Sequence, residues 1–115
     1  MRSASAGVVR AGVENEVRRL LPHGQAKAET VARALGLSVR TLSRRLAEEG
    51  TTFAEVVEQT RRTRAFQYLK EPGFSLAQIA WLLGYESPTS FNHAFKRWTG
   101  RSPSAARNER RLSTA

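Results

Sequence analysis

Apolar residues recur at helical spacing through most of the chain, and each interruption carries residues suited to stopping a helix. Val13, Val17, Leu20 and Leu21 line one face until Pro22-His23-Gly24 breaks the period. A short amphipathic segment with Val31, Ala32 and Leu35 follows and stops at Gly36, a residue suited to the left-handed C-terminal cap. Its start lacks a capping hydroxyl, because Lys27 and Ala28 stand there. Ser38 is placed to cap the next helix, which turns Val39, Leu42 and Leu46 inward and ends at Gly50. Thr52-Phe53-Ala54-Glu55 reads as a capping box, opening a helix that meets no Gly or Pro before Glu71-Pro72-Gly73. At the helical rise per residue this rod is about 27 Å long.

Ser75 with Gln78 forms a second capping box, and Leu76, Ile79, Leu82 and Leu83 mark a short helix that stops at Gly84. Ser87-Pro88 puts a hydroxyl before a proline at the first helical position, and the helix behind it turns Phe91, Phe95 and Trp98 inward, with Phe66 of the long rod read as core beside them. Ser102-Pro103 repeats that start signal for a last short helix. No segment alternates with a period of two, so the predicted fold is all-α, with about seven helices. The expected organisation is a flexible lead-in or linker over 1–10, a first helix-turn-helix subdomain over 11–50, a linker helix over 51–71, a second such subdomain over 72–107 and a mobile basic tail over 108–115.

The two subdomains share a sequence pattern. Val31-Ala32-Arg33-Ala34-Leu35-Gly36-Leu37 aligns with Ile79-Ala80-Trp81-Leu82-Leu83-Gly84-Tyr85, and a Ser-capped helix with apolar residues four apart follows each copy. The second turn is one residue longer. A small residue in the first helix, a glycine at the turn and a capped second helix are what two helices crossing over a tight turn require, which is the helix-turn-helix pattern.

At about 100° per residue, Arg40 and Arg44 point away from Leu42 and Leu46, flanked by Thr41 and Ser43. In the second unit Thr89, Asn92, His93 and Lys96 lie opposite Phe91, Phe95 and Trp98. Arginine forks onto guanine O6 and N7, asparagine pairs with adenine N6 and N7, and threonine meets a phosphate or the thymine methyl. The candidate contact set is therefore Arg40, Thr41, Ser43 and Arg44 in the first unit, and Ser87, Thr89, Ser90, Asn92, His93, Lys96 and Arg97 in the second. A rod of that length brings two such readers near the roughly 34 Å of one B-DNA turn.

Composition narrows the chemistry in the same direction. Nineteen Lys plus Arg stand against ten acids, a formal charge of +9 that favours a polyanionic partner. No Cys is present and only two His, which removes disulfide frameworks, thiol nucleophiles and zinc-finger spacings. No apolar run approaches a membrane span, and the first ten residues lack the apolar stretch of a signal peptide, so the expected compartment is the cytoplasm, with no membrane partner. His93 has no His, Cys or carboxylate at ligand spacing, and no nucleophile-and-base set or Gly-rich phosphate loop exists. The expectation is thus no catalysis, no metal and no cofactor. Arg61, Arg62 and Arg64 on the long helix read as a solvated face, and His23 in its turn is assigned nothing.

With these residues in place, the chain resembles the C-terminal DNA-binding domain of AraC/XylS transcription regulators, over about 13–107. The match is carried by Ser75-Leu76-Ala77-Gln78-Ile79-Ala80, Leu83-Gly84-Tyr85, the run Ser90-Phe91-Asn92-His93-Ala94-Phe95-Lys96-Arg97-Trp98-Thr99-Gly100, Ser102-Pro103 and Arg107. The first unit is looser but in register, through Leu35-Gly36, Ser38, Leu42-Ser43-Arg44-Arg45-Leu46 and Gly50. The resemblance implies seven helices, two helix-turn-helix subdomains joined by the long helix, and a monomeric domain on a double-stranded promoter site with two half-motifs. By position it assigns base reading to Arg40, Ser43 and Arg44, and to Thr89, Ser90, Asn92 and His93. Two departures are the missing cap near Lys27 and Pro88, which replaces a polar side chain. It also implies RNA polymerase as a partner and a larger parent regulator, dimeric through an N-terminal domain that the chain lacks. The competing reading is a helical RNA-binding or protein-interaction module, in which the repeats only pack and the charge serves A-form RNA or an acidic partner.

Overall fold

The computed structural model describes residues 7–114. Among them are seven α-helices and no strand: α1 (Val8–Leu20), α2 (Ala28–Ala34), α3 (Val39–Glu48), α4 (Phe53–Leu69), α5 (Leu76–Leu82), α6 (Pro88–Thr99) and α7 (Pro103–Thr114), with a 3-10 turn at Leu21–His23. The all-α expectation stands, and the caps fall where the sequence places them. Thr52 and Glu55 exchange hydrogen bonds at 3.0 and 3.2 Å, and Ser75 and Gln78 do so at 2.7 and 3.0 Å. Lys27 begins α2 without a side-chain cap.

The chain divides into two compact units, residues 1–60 and 61–115. In the first, Val13, Val17, Leu20, Leu21, Val31, Ala32, Leu42, Leu46 and Val56 form one buried cluster. In the second, Ala65, Leu69, Ile79, Ala80, Leu83, Phe91 and Phe95 form another. The long helix is therefore more than a spacer, because Val56 belongs to one core and Ala65 and Leu69 to the other. Each fully buried Leu or Phe contributes about 1.5–3 kcal/mol over an exposed one, so these clusters dominate what holds each unit together. Gly12 serves packing: a Cβ there would lie 3.3 Å from Leu35 Cδ2, so its absence lets α1 approach the end of α2.

Four expectations need correcting. Val39, expected to turn inward, is 38% exposed at the first position of α3, whose buried residues are Leu42 and Leu46. The lead-in drawn over 1–10 is helical from Val8, while residues 1–6 lie outside the described part. The reason is distant in sequence: the Glu49 carboxylate accepts the Val9 and Arg10 amides at 3.1 and 3.0 Å, supplying a cap that Gly7 does not. The backbone of the expected tail is helical through Thr114, as part of α7. Arg107, midway along α7, holds that helix by donating to the carbonyls of Phe74 at 2.7 Å, Glu71 at 3.1 Å, Leu69 at 3.3 Å and Tyr68 at 3.4 Å. Arg101 pairs with Glu109 at 2.5 Å across the same segment, and this hydrogen bond holds the Glu109 carboxyl below the usual carboxylate range. Phe66, read as core, is 39% exposed. It sits on the flank of the inward line made by Ala65 and Leu69 and covers the Phe95 ring, with centroids 5.4 Å apart.

Candidate nucleic-acid interface

In the first unit, α2 ends in a left-handed glycine, Gly36 at φ 73°, and the chain reverses through two hydrogen bonds: Gly36 N to Arg33 O at 3.0 Å and Leu37 N to Ala32 O at 2.8 Å. This is the Schellman pairing, which satisfies carbonyls that the helix end leaves open. The second unit repeats it, with Gly84 at φ 83°, Gly84 N to Trp81 O at 3.0 Å and Tyr85 N to Ala80 O at 3.0 Å. Ala32 and Ala80, both buried, keep the crossing narrow enough for the next helix to pack. The sequence repeat is therefore a structural repeat, bond for bond.

Ser38 and Ser87 then start α3 and α6. The Ser38 hydroxyl oxygen accepts the Thr41 amide at 3.1 Å, and that of Ser87 accepts the Ser90 amide at 3.2 Å. Neither helix has an acidic residue in its first turn, where a carboxylate would offset the positive end of the helix dipole, although Glu86 stands just before the Ser87 cap of α6. Leu42 and Leu46 anchor α3, while Phe91, Ala94 and Phe95 anchor α6. That leaves Arg40, Ser43 and Arg44 exposed on α3, and Thr89, Ser90, Asn92, His93, Lys96 and Arg97 exposed on α6.

Two of the expected contact residues are half-buried and engaged locally. The Ser38 hydroxyl donates to the Thr41 hydroxyl oxygen at 3.0 Å, and the Ser87 hydroxyl lies 3.2 Å from that of Ser90. Those hydroxyls stiffen the helix starts at the edge of the exposed faces. Arg45, outside the expected set, is exposed beside Arg44, which puts three guanidinium groups on the ten residues of α3. Trp81, on α5, is 56% exposed.

Two arginines outside the expected set build the second unit. Arg107 fastens α7 to the carbonyls between Tyr68 and Phe74. Arg61, expected on a solvated face, is half-buried, and its Nε donates to Leu83 O at 2.9 Å. Only their neighbours in space distinguish them from surface arginines, which is why spacing along the chain does not single them out.

Among the described residues no group of three or more His, Asp or Glu is placed to hold a metal, and no helix is long and apolar enough to cross a membrane.

Residues 31–109 match the family model of a helix-turn-helix domain. The transcriptional regulator VirS of Mycobacterium tuberculosis is 48% identical over 86 residues, covering 75% of this chain and 25% of that protein. The chain thus spans about a quarter of the length of the curated relatives it matches. Two solved structures superpose closely. A DNA-binding transcriptional dual regulator from Escherichia coli K-12 gives a TM-score of 0.81 at 26% identity, covering 88% of this chain and 90% of that one. The DNA-binding domain of the global transcriptional factor AdpA, determined with a target DNA, gives 0.75 at 27% identity, covering 90% and 94%.

Proposed function

Since the chain belongs to the helix-turn-helix domain family, in its AraC/XylS type, we propose that it is the sequence-specific, double-stranded DNA-binding domain of a transcription regulator. The observation that carries this reading is the duplicated hairpin, closed twice by the same turn bonds, with polar base-readers exposed on the second helix of each copy. Helices α3 and α6 enter successive major grooves of a bipartite site. Arg40, Ser43, Arg44, Thr89, Ser90, Asn92 and His93 read base edges, and Lys96 and Arg97 neutralise phosphates. The excess positive charge supplies non-specific affinity that falls steeply with salt. The AdpA domain, solved on its target DNA, supports the same assignment by likeness of fold.

The parent regulator acts in the cytoplasm, contacts RNA polymerase from this domain, and dimerises through a further domain. Recognition and not catalysis is the task of this part. Selection from random duplex oligonucleotides tests the assignment directly: a two-part motif with half-motifs about one helical turn apart is the expected product. Enrichment of no motif, or a preference for duplex RNA over duplex DNA in competition, overturns it.

A further inference from the structure

We propose that Arg61 is a positioning residue for α6: it clamps the turn that leads into this helix and so governs base selectivity in the half of the DNA site that α6 reads. The proposal rests on the DNA-binding reading of the chain.

The two hairpins share their turn bonds but differ in the residues between the turn and the second helix. In the first unit one residue, Leu37, separates Gly36 from the capping Ser38; in the second, Tyr85 and Glu86 separate Gly84 from Ser87. The Schellman bonds close at Tyr85 and do not reach the added residue. An extra pair of backbone torsions therefore lies between the closed turn and the start of α6, and each such pair is a source of variation in where the helix points. Base-reading side chains tolerate a placement error of only about 0.5 Å, so that variation has to be suppressed.

Arg61 is placed to suppress it. Its Nε donates to the carbonyl oxygen of Leu83 at 2.9 Å, and Leu83 is the C-terminal cap of α5. Its guanidinium carbon lies 4.7 Å from the centroid of the Tyr85 ring, within cation–π range. Tyr85 in turn stacks on Phe91, with centroids 5.9 Å apart and planes 29° apart. Phe91 is fully buried on α6, between the exposed Ser90 and Asn92. One side chain on α4 thereby ties down both ends of the longer turn, through the last carbonyl before it and through an aromatic pair that reaches into α6. Leu37, which occupies the place of Tyr85 in the first unit, offers no aromatic ring for such a clamp. The Nε donor and the face of the guanidinium are both engaged in this contact.

The decisive experiment is oligonucleotide selection with the 115-residue chain and with Arg61→Lys and Tyr85→Leu. Arg61→Lys keeps the charge and loses the fork, while Tyr85→Leu installs the residue that the first unit uses. Asn92→Ala, which leaves the clamp intact, identifies the half of the motif that α6 reads. Both clamp variants should keep a cooperative helical melting transition, the wild-type salt dependence and the base preferences of the α3 half. In the α6 half the preferred-to-mismatched affinity ratio should fall by about tenfold, roughly the worth of one good base contact. If Arg61→Lys loses its melting transition, Tyr85→Leu decides alone. Unchanged preferences in both halves, or equal losses in both, refute the clamp while leaving DNA recognition standing. A wild-type chain that selects no motif removes the DNA-binding reading and the clamp together.

Discussion

The Glu49 carboxylate accepts the backbone amide of Val9 at 3.1 Å, so the residue that closes α3 also caps the start of α1, forty positions earlier in the chain. Gly7, which precedes α1, has no side chain to do this. Glu49→Ala should therefore cost about 0.5–2 kcal/mol, the usual worth of a lost N-cap. The signature is a lower urea midpoint with unchanged slope, together with faster amide exchange in the first turn of α1. Unaltered exchange there would show that the carboxylate contributes nothing.

Arg107→Ala should remove the bonds that hold the carbonyls of Tyr68, Leu69, Glu71 and Phe74. A hydrogen bond to a charged group is worth about 1.5–3 kcal/mol, and one such increment is the expected loss, since the exposed carbonyls among the four recover water. Arg107→Lys should recover only part of it, because an ammonium cannot fork across several acceptors. Equal stability of the Lys variant and wild type in thermal melts would refute that geometry.

Phe95 is fully buried, with its ring centroid 5.4 Å from that of Phe66, 5.9 Å from Phe91 and 6.2 Å from Trp98. Phe95→Ala should cost about 3–5 kcal/mol, much of what a unit this small possesses. Because the two clusters have no residue in common, loss of exchange protection should concentrate in α5, α6 and α7. Equal loss in α1, α2 and α3 would show that the two cores melt as one.

What the sequence discloses here is mostly what residues do to their near neighbours. Ser38, Ser75, Ser87 and the Thr52–Glu55 box act within three residues, so their roles are visible in the spacing itself. The turn glycines and the outward placement of Arg40, Arg44, Asn92 and His93 follow for the same reason. Glu49, Arg61 and Arg107 act on partners 22 to 40 positions away, and a charge on a helix face carries no address. Spacing misjudges the extents of α1 and α7 on that account, since α1 takes its cap from Glu49 and α7 its anchorage at Arg107 from distant groups. Phe66 is misjudged differently: it belongs to the apolar face of α4 but at its edge, where periodicity alone does not separate buried from half-buried.

Arg44 and Lys96 separate reading from clamping. Arg44→Ala should weaken binding to the preferred site by about 1–3 kcal/mol and relax base choice in one half of the motif only. Lys96→Ala should weaken all duplexes alike and lower the slope of log K against log salt by about one. Gel shifts at several salt concentrations with the selected site and a scrambled one distinguish the two patterns. Uniform weakening by Arg44→Ala would demote that residue to a phosphate contact.

The sharing out of α4 bears on how this protein can be dissected. Val56 is wall to one cluster, and Ala65 and Leu69 are wall to the other. A cut just before Phe53 strips the first hairpin of a side of its interior, and a cut just after Leu69 does the same to the second. Either hairpin, expressed by itself, needs its own stretch of that helix left attached.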